Sequence, residues 1–153
     1  MIHIYHGYGK GKTSAALGAG MRAKGAGMSV LLVQFLKDNK SGELSVLPFD
    51  IFEAPESLPF NPDKSYSKWV NSALEYVNNS SADMIILDEL LDIIPEFISE
   101  DEALKLLGKK CELIITGHKK IPRLFEKADY LTGFEKEKHP YDKGVKARKG
   151  IEY

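Results

Sequence analysis

The residues best suited to chemistry lie near the start of the chain, in the run Gly7-Tyr8-Gly9-Lys10-Gly11-Lys12-Thr13-Ser14. A short apolar run over residues 1–5 precedes it, and an alanine-rich segment from Thr13 to about Lys24 follows it. A strand, a glycine-rich loop and a helix in this order are the setting of a phosphate-binding P-loop. Such a loop turns its backbone N–H groups inward, and the helix N-terminus adds partial positive charge. The sequence therefore predicts that residues 7–14 bind nucleotide phosphates.

Two side chains of this loop have predicted roles in nucleotide binding. Lys12 would reach the phosphates as a point charge, and Thr13 would offer its hydroxyl to a bound Mg²⁺. The usual pattern has a glycine five residues before Gly11, where this chain has His6. The loop is thus a variant in which we expect Gly7 and Gly9 to make the turn. The simpler alternative, a glycine-rich turn that only caps a helix, is less favoured because strand, loop and helix follow in P-loop order.

A second motif consists of an apolar run, residues 84–87, that ends in Asp88 and Glu89. This is the Walker B pattern, in which a buried strand delivers an acidic side chain to the Mg²⁺ of a P-loop site. Alone the pattern is weak, since strands often end in an acid at a solvated edge. Because a P-loop lies upstream, we expect Asp88 or Glu89 to act with Thr13 at the metal.

The composition limits the class of protein. The chain has 153 residues, of which 43% are hydrophobic, and its formal net charge is −1. This length suits a single domain with a proper core, and the charge argues against nucleic acid as a partner. A single cysteine, Cys111, excludes an internal disulfide framework. No apolar run approaches membrane-spanning length and no signal-peptide pattern begins the chain, so we expect a cytoplasmic protein that does not bind membranes.

The remaining pattern alternates between predicted strands and helices. Strands are predicted over residues 29–36, 84–89, 111–117 and 130–135, with a short edge strand over 46–53. Helices are predicted over residues 65–79, from the N-cap Ser99 to about Lys109, and over 121–127. Residues 54–64 contain three prolines and are predicted to be a loop. This alternation predicts an α/β fold with a mostly parallel sheet and helices on both faces.

The C-terminal tail, residues 138–153, fits no regular element. Its simplest interpretation is a charged, disordered terminus. However, it contains two glycines, a proline, two tyrosines and an isoleucine, which favour a segment that folds back. We therefore expect one domain over residues 1–153, with the tail folded onto it.

These motifs together resemble the P-loop branch of the ATP:cob(I)alamin (corrinoid) adenosyltransferase family. The matching pieces follow the family's order along most of the chain. They are the loop at 7–13, Arg22, Val33-Gln34-Phe35, the run 86–90, Ile114-Ile115-Thr116-Gly117 and the tail from Lys138 to Tyr153. The tail is the most specific piece, because a generic P-loop protein has no reason to carry it.

The resemblance implies a RecA-like P-loop fold, a homodimer and a reaction. The 5′-deoxyadenosyl group of ATP would pass to the cobalt(I) of a reduced corrinoid, with release of triphosphate and with Mg²⁺ as the metal. A reductase would supply the cobalt(I). Lys10, Lys12 and the loop amides would stabilise the triphosphate. The resemblance also implies that Arg22 binds ATP, and it favours Glu89 over Asp88 at the metal.

The chain departs from the family pattern at several places. Tyr8 replaces an asparagine, and His118 replaces an arginine. The family's Gly-Phe-Thr-Trp segment has no clear counterpart, although Phe60 and Trp69 lie in that region. Many members also carry a longer N-terminal extension.

Two other functions are compatible with a P-loop. A nucleotide or nucleoside kinase would use the same loop to transfer a phosphoryl group, but kinases often have an arginine-rich lid, and this chain has three arginines in all. A nucleotide-binding module without catalysis is the second alternative. The product released from ATP distinguishes these functions.

Overall fold

Parallel β-strands form the centre of the protein. In this computed structural model, the structure describes residues 1–38, 41–55 and 64–151. The strands of these ranges are β1 (Ile2–His6), β2 (Val30–Gln34), β3 (Asp50–Ile51), β4 (Met84–Asp88), β5 (Glu112–Gly117) and β6 (Tyr130–Gly133). Their order across the sheet is β3-β2-β4-β5-β1-β6, and every pair is parallel. One strand, β5, thus separates the strand before the glycine loop from the strand that ends in Asp88.

Helices connect the strands and cover both faces of the sheet. They are α1 (Lys12–Gly25), α2 (Lys64–Asn79), α3 (Glu100–Leu106) and α4 (Pro122–Phe125), with 3₁₀ turns at Gly42–Ser45, Leu90–Ile93 and Pro140–Lys143. On one face, α1 packs against β2, β4 and β5 through Ala16 and Leu17. On the other face, α2 and α3 cover a larger buried cluster. The predicted α/β fold is confirmed and is consistent with a RecA-like P-loop domain.

Individual elements agree with the sequence prediction except at their ends. The predicted edge strand over 46–53 is reduced to Asp50–Ile51, at the edge beside β2. Ser99 is the N-cap of its helix, as predicted, and forms a capping box with Glu102; the helix ends at Leu106, three residues early. The loop predicted over 54–64 lies mostly outside the described residues. Among the helices of the described ranges, none has the length and apolar character needed to cross a membrane.

Candidate active site

The glycine loop connects β1 to α1, as the P-loop pattern predicts. Gly7 and Gly11 have φ angles of 108° and 115°, a region that favours glycine. Position 9 has no room for a side chain, because a Cβ there would lie 2.7 Å from the carbonyl carbon of Phe134 and from the carbonyl oxygen of Glu135. The Gly9 N–H donates to the Phe134 oxygen at 2.8 Å. Gly7, Tyr8 and Gly9 all lie in the bend that follows β1, and the absence of a side chain at Gly9 also admits the segment after β6.

The polar side chains of the loop differ in burial. Lys12 is buried, and its ammonium donates to the Gly9 carbonyl oxygen at 3.2 Å, inside the loop. The Lys10 ammonium donates to the Ile151 carbonyl oxygen at 2.7 Å, which links the loop to the tail. Tyr8 is exposed, with its ring 5.4 Å from that of His118, and Ser14 is exposed on α1. Lys12 is thus the lysine held within the predicted phosphate site.

Asp88 lies at the centre of a polar cluster directly behind the loop. Its side chain is fully buried. The Thr13 hydroxyl donates to Asp88 Oδ1 at 3.0 Å and lies 3.2 Å from Oδ2. Gln34 Nε2 donates to Oδ2 at 3.0 Å, and the Thr116 hydroxyl donates to Oδ1 at 2.6 Å. The Lys37 ammonium makes an ion pair with Oδ2 at 2.5 Å.

Strand alternation explains why these side chains meet. Successive side chains of a strand point to opposite faces of the sheet. The α1 face carries Val30 and Leu32 of β2, Met84 and Ile86 of β4, and Ile114 of β5. The next side chains on this face, two positions further along each strand, are Gln34 in β2, Asp88 in β4 and Thr116 in β5. Each α1-facing row therefore changes from apolar to polar at the C-terminal end of its strand, where ligands bind in open α/β sheets.

Glu89 belongs to a neighbouring group of side chains. It follows β4 with a positive φ of 63°, and its N–H donates to the Thr116 hydroxyl at 2.9 Å. Its carboxylate Oε2 lies 3.5 Å from His118 Nδ1, which is 2.8 Å from Asp92 Oδ2. The ligand atoms of Glu89, Asp92 and His118 lie within 4.8 Å of one another. Burial raises the pKa of Glu89 to about 8, and its hydrogen bond with Asp92 and the charge of Asp88 act in the same direction.

Comparison with known proteins identifies the family. The family described as ATP:corrinoid adenosyltransferase BtuR/CobO/CobP matches residues 1–153. The chain belongs to this family. It is 32% identical over 167 residues to a corrinoid adenosyltransferase of Escherichia coli (strain K12), an alignment that covers 100% of this chain and 85% of that protein. It is 29% identical over 173 residues to the corrinoid adenosyltransferase CobA of Salmonella typhimurium, with coverages of 100% and 85%.

A corrinoid adenosyltransferase of Pseudomonas aeruginosa is 28% identical over 173 residues, covering 100% of this chain and 83% of that protein. The predicted function, adenosyl transfer from ATP to a corrinoid, is therefore confirmed at the level of the family. A kinase and an inactive nucleotide-binding module are not favoured.

The adenosyltransferase offers oxygen atoms that fit a Mg²⁺ ion beside its P-loop. The Thr13 hydroxyl and the Asp88 carboxylate are hard oxygen donors, the kind that Mg²⁺ prefers. Their separations of 3.0 and 3.2 Å match the edge of about 3 Å between neighbouring ligands of an octahedral Mg²⁺. The Gln34 Oε1 atom is buried without a hydrogen-bond partner among the described residues, so it can accept from a metal-bound water.

Arg22 and Glu89 are among the predicted site residues that are not brought to this cluster. Arg22 lies exposed in the last turn of α1. The rise of the helix places it about 15 Å along the axis from Lys12. The carboxylate of Glu89 contacts Asp92 and His118, whereas Asp88 contacts Thr13. The carboxylate beside the P-loop threonine is therefore that of Asp88.

Several residues of this candidate site carry no signal that sequence analysis identified. Thr116 was not considered as a site residue, although it ends the α1-facing row of β5. Gln34 at the end of β2 and Lys37 just beyond it both contact Asp88. Asp92 was missed because it follows β4 in a 3₁₀ turn that has no clear sequence signal. It accepts a hydrogen bond from the backbone N–H of His118 and contacts the His118 ring, which orients this side chain.

Proposed function

We propose that the chain binds Mg·ATP on the loop over residues 7–14 and directs its C5′ atom toward the cobalt(I) of a bound corrinoid. The cobalt supplies an electron pair, a Co–C5′ bond forms, and the C5′–O bond breaks with its electrons passing to triphosphate. No proton is removed in this step, so no general base is required. The protein's task is to orient the two substrates and to stabilise the leaving group.

The contact between Thr13 and Asp88 beside the loop carries this proposal. It joins a P-loop hydroxyl to a buried carboxylate at a spacing that suits Mg²⁺. When bound there, Mg²⁺ supplies charge that stabilises the triphosphate. Gln34 and Thr116 hold the Asp88 carboxylate in place by donating to its two oxygens. Glu89, favoured by the resemblance, is the alternative metal ligand.

Lys12 and Lys10 would stabilise the triphosphate from the loop. The buried ammonium of Lys12 lies inside the loop and donates to a loop carbonyl, a weaker acceptor than a phosphate oxygen. Lys10 would act from the outer side, where it contacts the tail. The loop amides and the N-terminus of α1 add partial positive charge, as in other P-loops.

The tail is proposed to fold over the loop and to bring basic side chains near the substrates. The contact of Lys10 with Ile151 supports this arrangement. The predicted homodimer, the reductase partner, the cytoplasmic location and the binding of ATP by Arg22 remain predictions. Phe60, which lies in the region of the family's aromatic segment, is outside the described residues.

The experiment that tests the proposal follows the products of ATP. The protein is incubated with ATP, Mg²⁺ and chemically reduced cobalamin, and the corrinoid spectrum and the phosphate products are recorded. We expect an adenosylated corrinoid and stoichiometric triphosphate, both dependent on Mg²⁺. ADP with a phosphorylated acceptor would identify a kinase, and binding without turnover would identify an inactive module.

A further inference from the structure

The Lys37 ammonium lies against the two oxygen-bearing groups that a divalent cation would need. It is 2.5 Å from Asp88 Oδ2 and 3.2 Å from the Thr13 hydroxyl oxygen. An ammonium and Mg²⁺ cannot share this position, because both need the same lone pairs and repel each other. Lys37 and a divalent cation are therefore competitors for one site.

The hydrogen bonds of Asp88 show which donor a cation must displace. A carboxylate offers about four lone-pair positions. Oδ1 accepts from Thr13 and Thr116, and Oδ2 accepts from Gln34 and Lys37. The carboxylate is thus saturated, and a metal can bind only after one donor leaves.

Thr13 itself would become a ligand of the metal, and of the other three donors Lys37 can leave at the lowest cost. Gln34 and Thr116 are buried strand residues, whereas the Lys37 side chain is 25% exposed and carries its ammonium on a flexible stem. The backbone before it is fixed, since Leu36 has a φ of 54° and its N–H donates to the Tyr66 hydroxyl at 2.7 Å. The flexible Lys37 side chain can swing from Asp88 toward phosphates bound at the start of α1.

We propose that the Lys37 ammonium occupies the cation position beside Asp88 and Thr13, and that a divalent metal replaces it there only when the nucleotide is bound. This inference rests on the proposed Mg·ATP site. The ammonium satisfies Asp88 and keeps free metal out. The triphosphate offers the ammonium a new anionic partner, so that Mg²⁺ and Lys37 exchange places in one binding event. The protein then selects Mg·ATP over free Mg²⁺, and Lys37 contributes to the binding of the triphosphate.

Two titrations of the purified protein test this exchange. The first measures Mn²⁺ binding without nucleotide by electron paramagnetic resonance, and the second measures the affinity for ATP in saturating Mg²⁺ by calorimetry. Lys37→Gln removes the competing charge, and Lys37→Arg retains it. Lys110→Gln is the matched control, because Lys110 is exposed and precedes β5 at the opposite end of the strands.

We expect Lys37→Gln to bind free Mn²⁺ about tenfold or more tightly than the wild type and to bind ATP about tenfold or more weakly. Lys37→Arg and Lys110→Gln should leave Mn²⁺ binding weak. The opposite signs of the two changes are the signature of exchange. Weaker binding of both ligands would indicate a structural lysine, and unchanged Mn²⁺ binding would indicate a lysine that only contacts phosphate; either result overturns the proposal.

Two controls show that the Mn²⁺ result arises neither from unfolding of a variant nor from a failure of the proposed function. Thermal unfolding confirms that each variant is folded, and Mn²⁺ should raise the midpoint of Lys37→Gln but not that of the wild type. A midpoint that Mn²⁺ leaves unchanged in Lys37→Gln contradicts the exchange. Because the Mn²⁺ titration contains neither ATP nor corrinoid, a wild-type protein that fails to adenosylate would refute the proposed function without altering the Mn²⁺ comparison.

Discussion

The Thr13 hydroxyl and the Asp88 carboxylate are hydrogen-bonded at 3.0 Å, although 75 residues separate them in the chain. Thr13 begins the helix that follows the glycine loop, and Asp88 ends a strand two places away from β1 in the sheet. The contact forms because α1 crosses the face of the sheet and packs against β4. It connects the two motifs that the sequence shows separately.

This contact predicts different effects for the two neighbouring acids. Asp88→Asn places an amide where Thr13, Lys37 and Thr116 all donate, so we expect the Mg²⁺ concentration for half-maximal activity to rise about tenfold or more. Glu89→Gln should raise it much less. Both variants are titrated with Mg²⁺ at saturating ATP and corrinoid. A larger effect for Glu89→Gln would place the metal at Glu89, as the resemblance favours.

Replacement of Lys12 by alanine should abolish productive ATP binding and leave the fold intact. Within the described part of the chain, the Lys12 ammonium makes one hydrogen bond, to a loop carbonyl, and loss of one such bond costs about 1 kcal/mol. The lost contact with triphosphate should weaken ATP binding more than tenfold. Calorimetry measures the affinity, and thermal unfolding is the control. Wild-type affinity in this variant would rule out the P-loop.

Replacement of Gly9 by alanine tests the contact between the loop and the segment after β6. The new Cβ would lie within 2.7 Å of backbone atoms of Phe134 and Glu135, which cannot yield as a flexible side chain can. We expect a loss of stability of about 1–3 kcal/mol. Gly18→Ala is the matched control, since its Cβ meets nothing within 4 Å and its helical position should gain about 0.5–1 kcal/mol. Denaturant unfolding of both variants gives the comparison, and equal stabilities would contradict it.

The raised pKa of Glu89 predicts a pH-dependent stability. In the folded chain, burial, the hydrogen bond with Asp92 and the charge of Asp88 raise the pKa of Glu89 to about 8, from the 4.5 of an ordinary glutamate side chain. Between these values the folded state binds more protons than the unfolded state, so the free energy of unfolding falls as pH rises. Burial alone would raise the pKa of Asp92, but its hydrogen bonds with Glu89 and His118 lower it. Asp92 therefore changes the free energy of unfolding only at lower pH.

Glu89→Gln should therefore gain stability relative to the wild type as pH rises from 5 to 8. Thermal unfolding at several pH values measures the difference between the two midpoints. A difference that does not change across this range would show that Glu89 ionises normally in the folded protein.

Removal of residues 138–153 should reduce corrinoid turnover far more than thermal stability. The described part of the tail is largely exposed, so it buries little apolar surface. Its basic side chains outnumber the acids, and one acid, Asp142, is already paired with Lys136 at 2.8 Å. Turnover at saturating ATP is compared between the two lengths of chain. Full activity after truncation would show that the tail has no part in the reaction.

The order of elements was predictable from local patterns, because buried parallel strands are continuous apolar runs and the capping box of Ser99 marks a helix start. The ends of elements were less predictable. The strand Asp50–Ile51 pairs with β2 over two residues only. Local sequence does not show where pairing with a neighbouring strand ends, so this length could not be predicted.

Sequence motifs predicted which residues lie near the site. They did not predict the direction of each side chain, because that direction depends on the local backbone conformation. The sequence offers Asp88 and Glu89 equally, as two acids after a strand. Alternation along β4 could have selected Asp88, because it shares a face with Met84 and Ile86, which pack toward α1. The positive φ of Glu89 then turns its side chain toward Asp92 and His118, and local sequence does not specify this turn.

The hydrogen bonds to Asp88 also concern how the protein folds. Its partners Thr116, Lys37, Gln34 and Thr13 are 28, 51, 54 and 75 residues away along the chain. Each contact closes a long loop, and such contacts form late because the chain entropy must be lost first. The buried carboxylate would be unpaired in any partly folded state that lacks one of these elements. The polar cluster around Asp88 is therefore complete only in the fully folded chain, and binding of the proposed metal or nucleotide would report on global folding rather than on the loop alone.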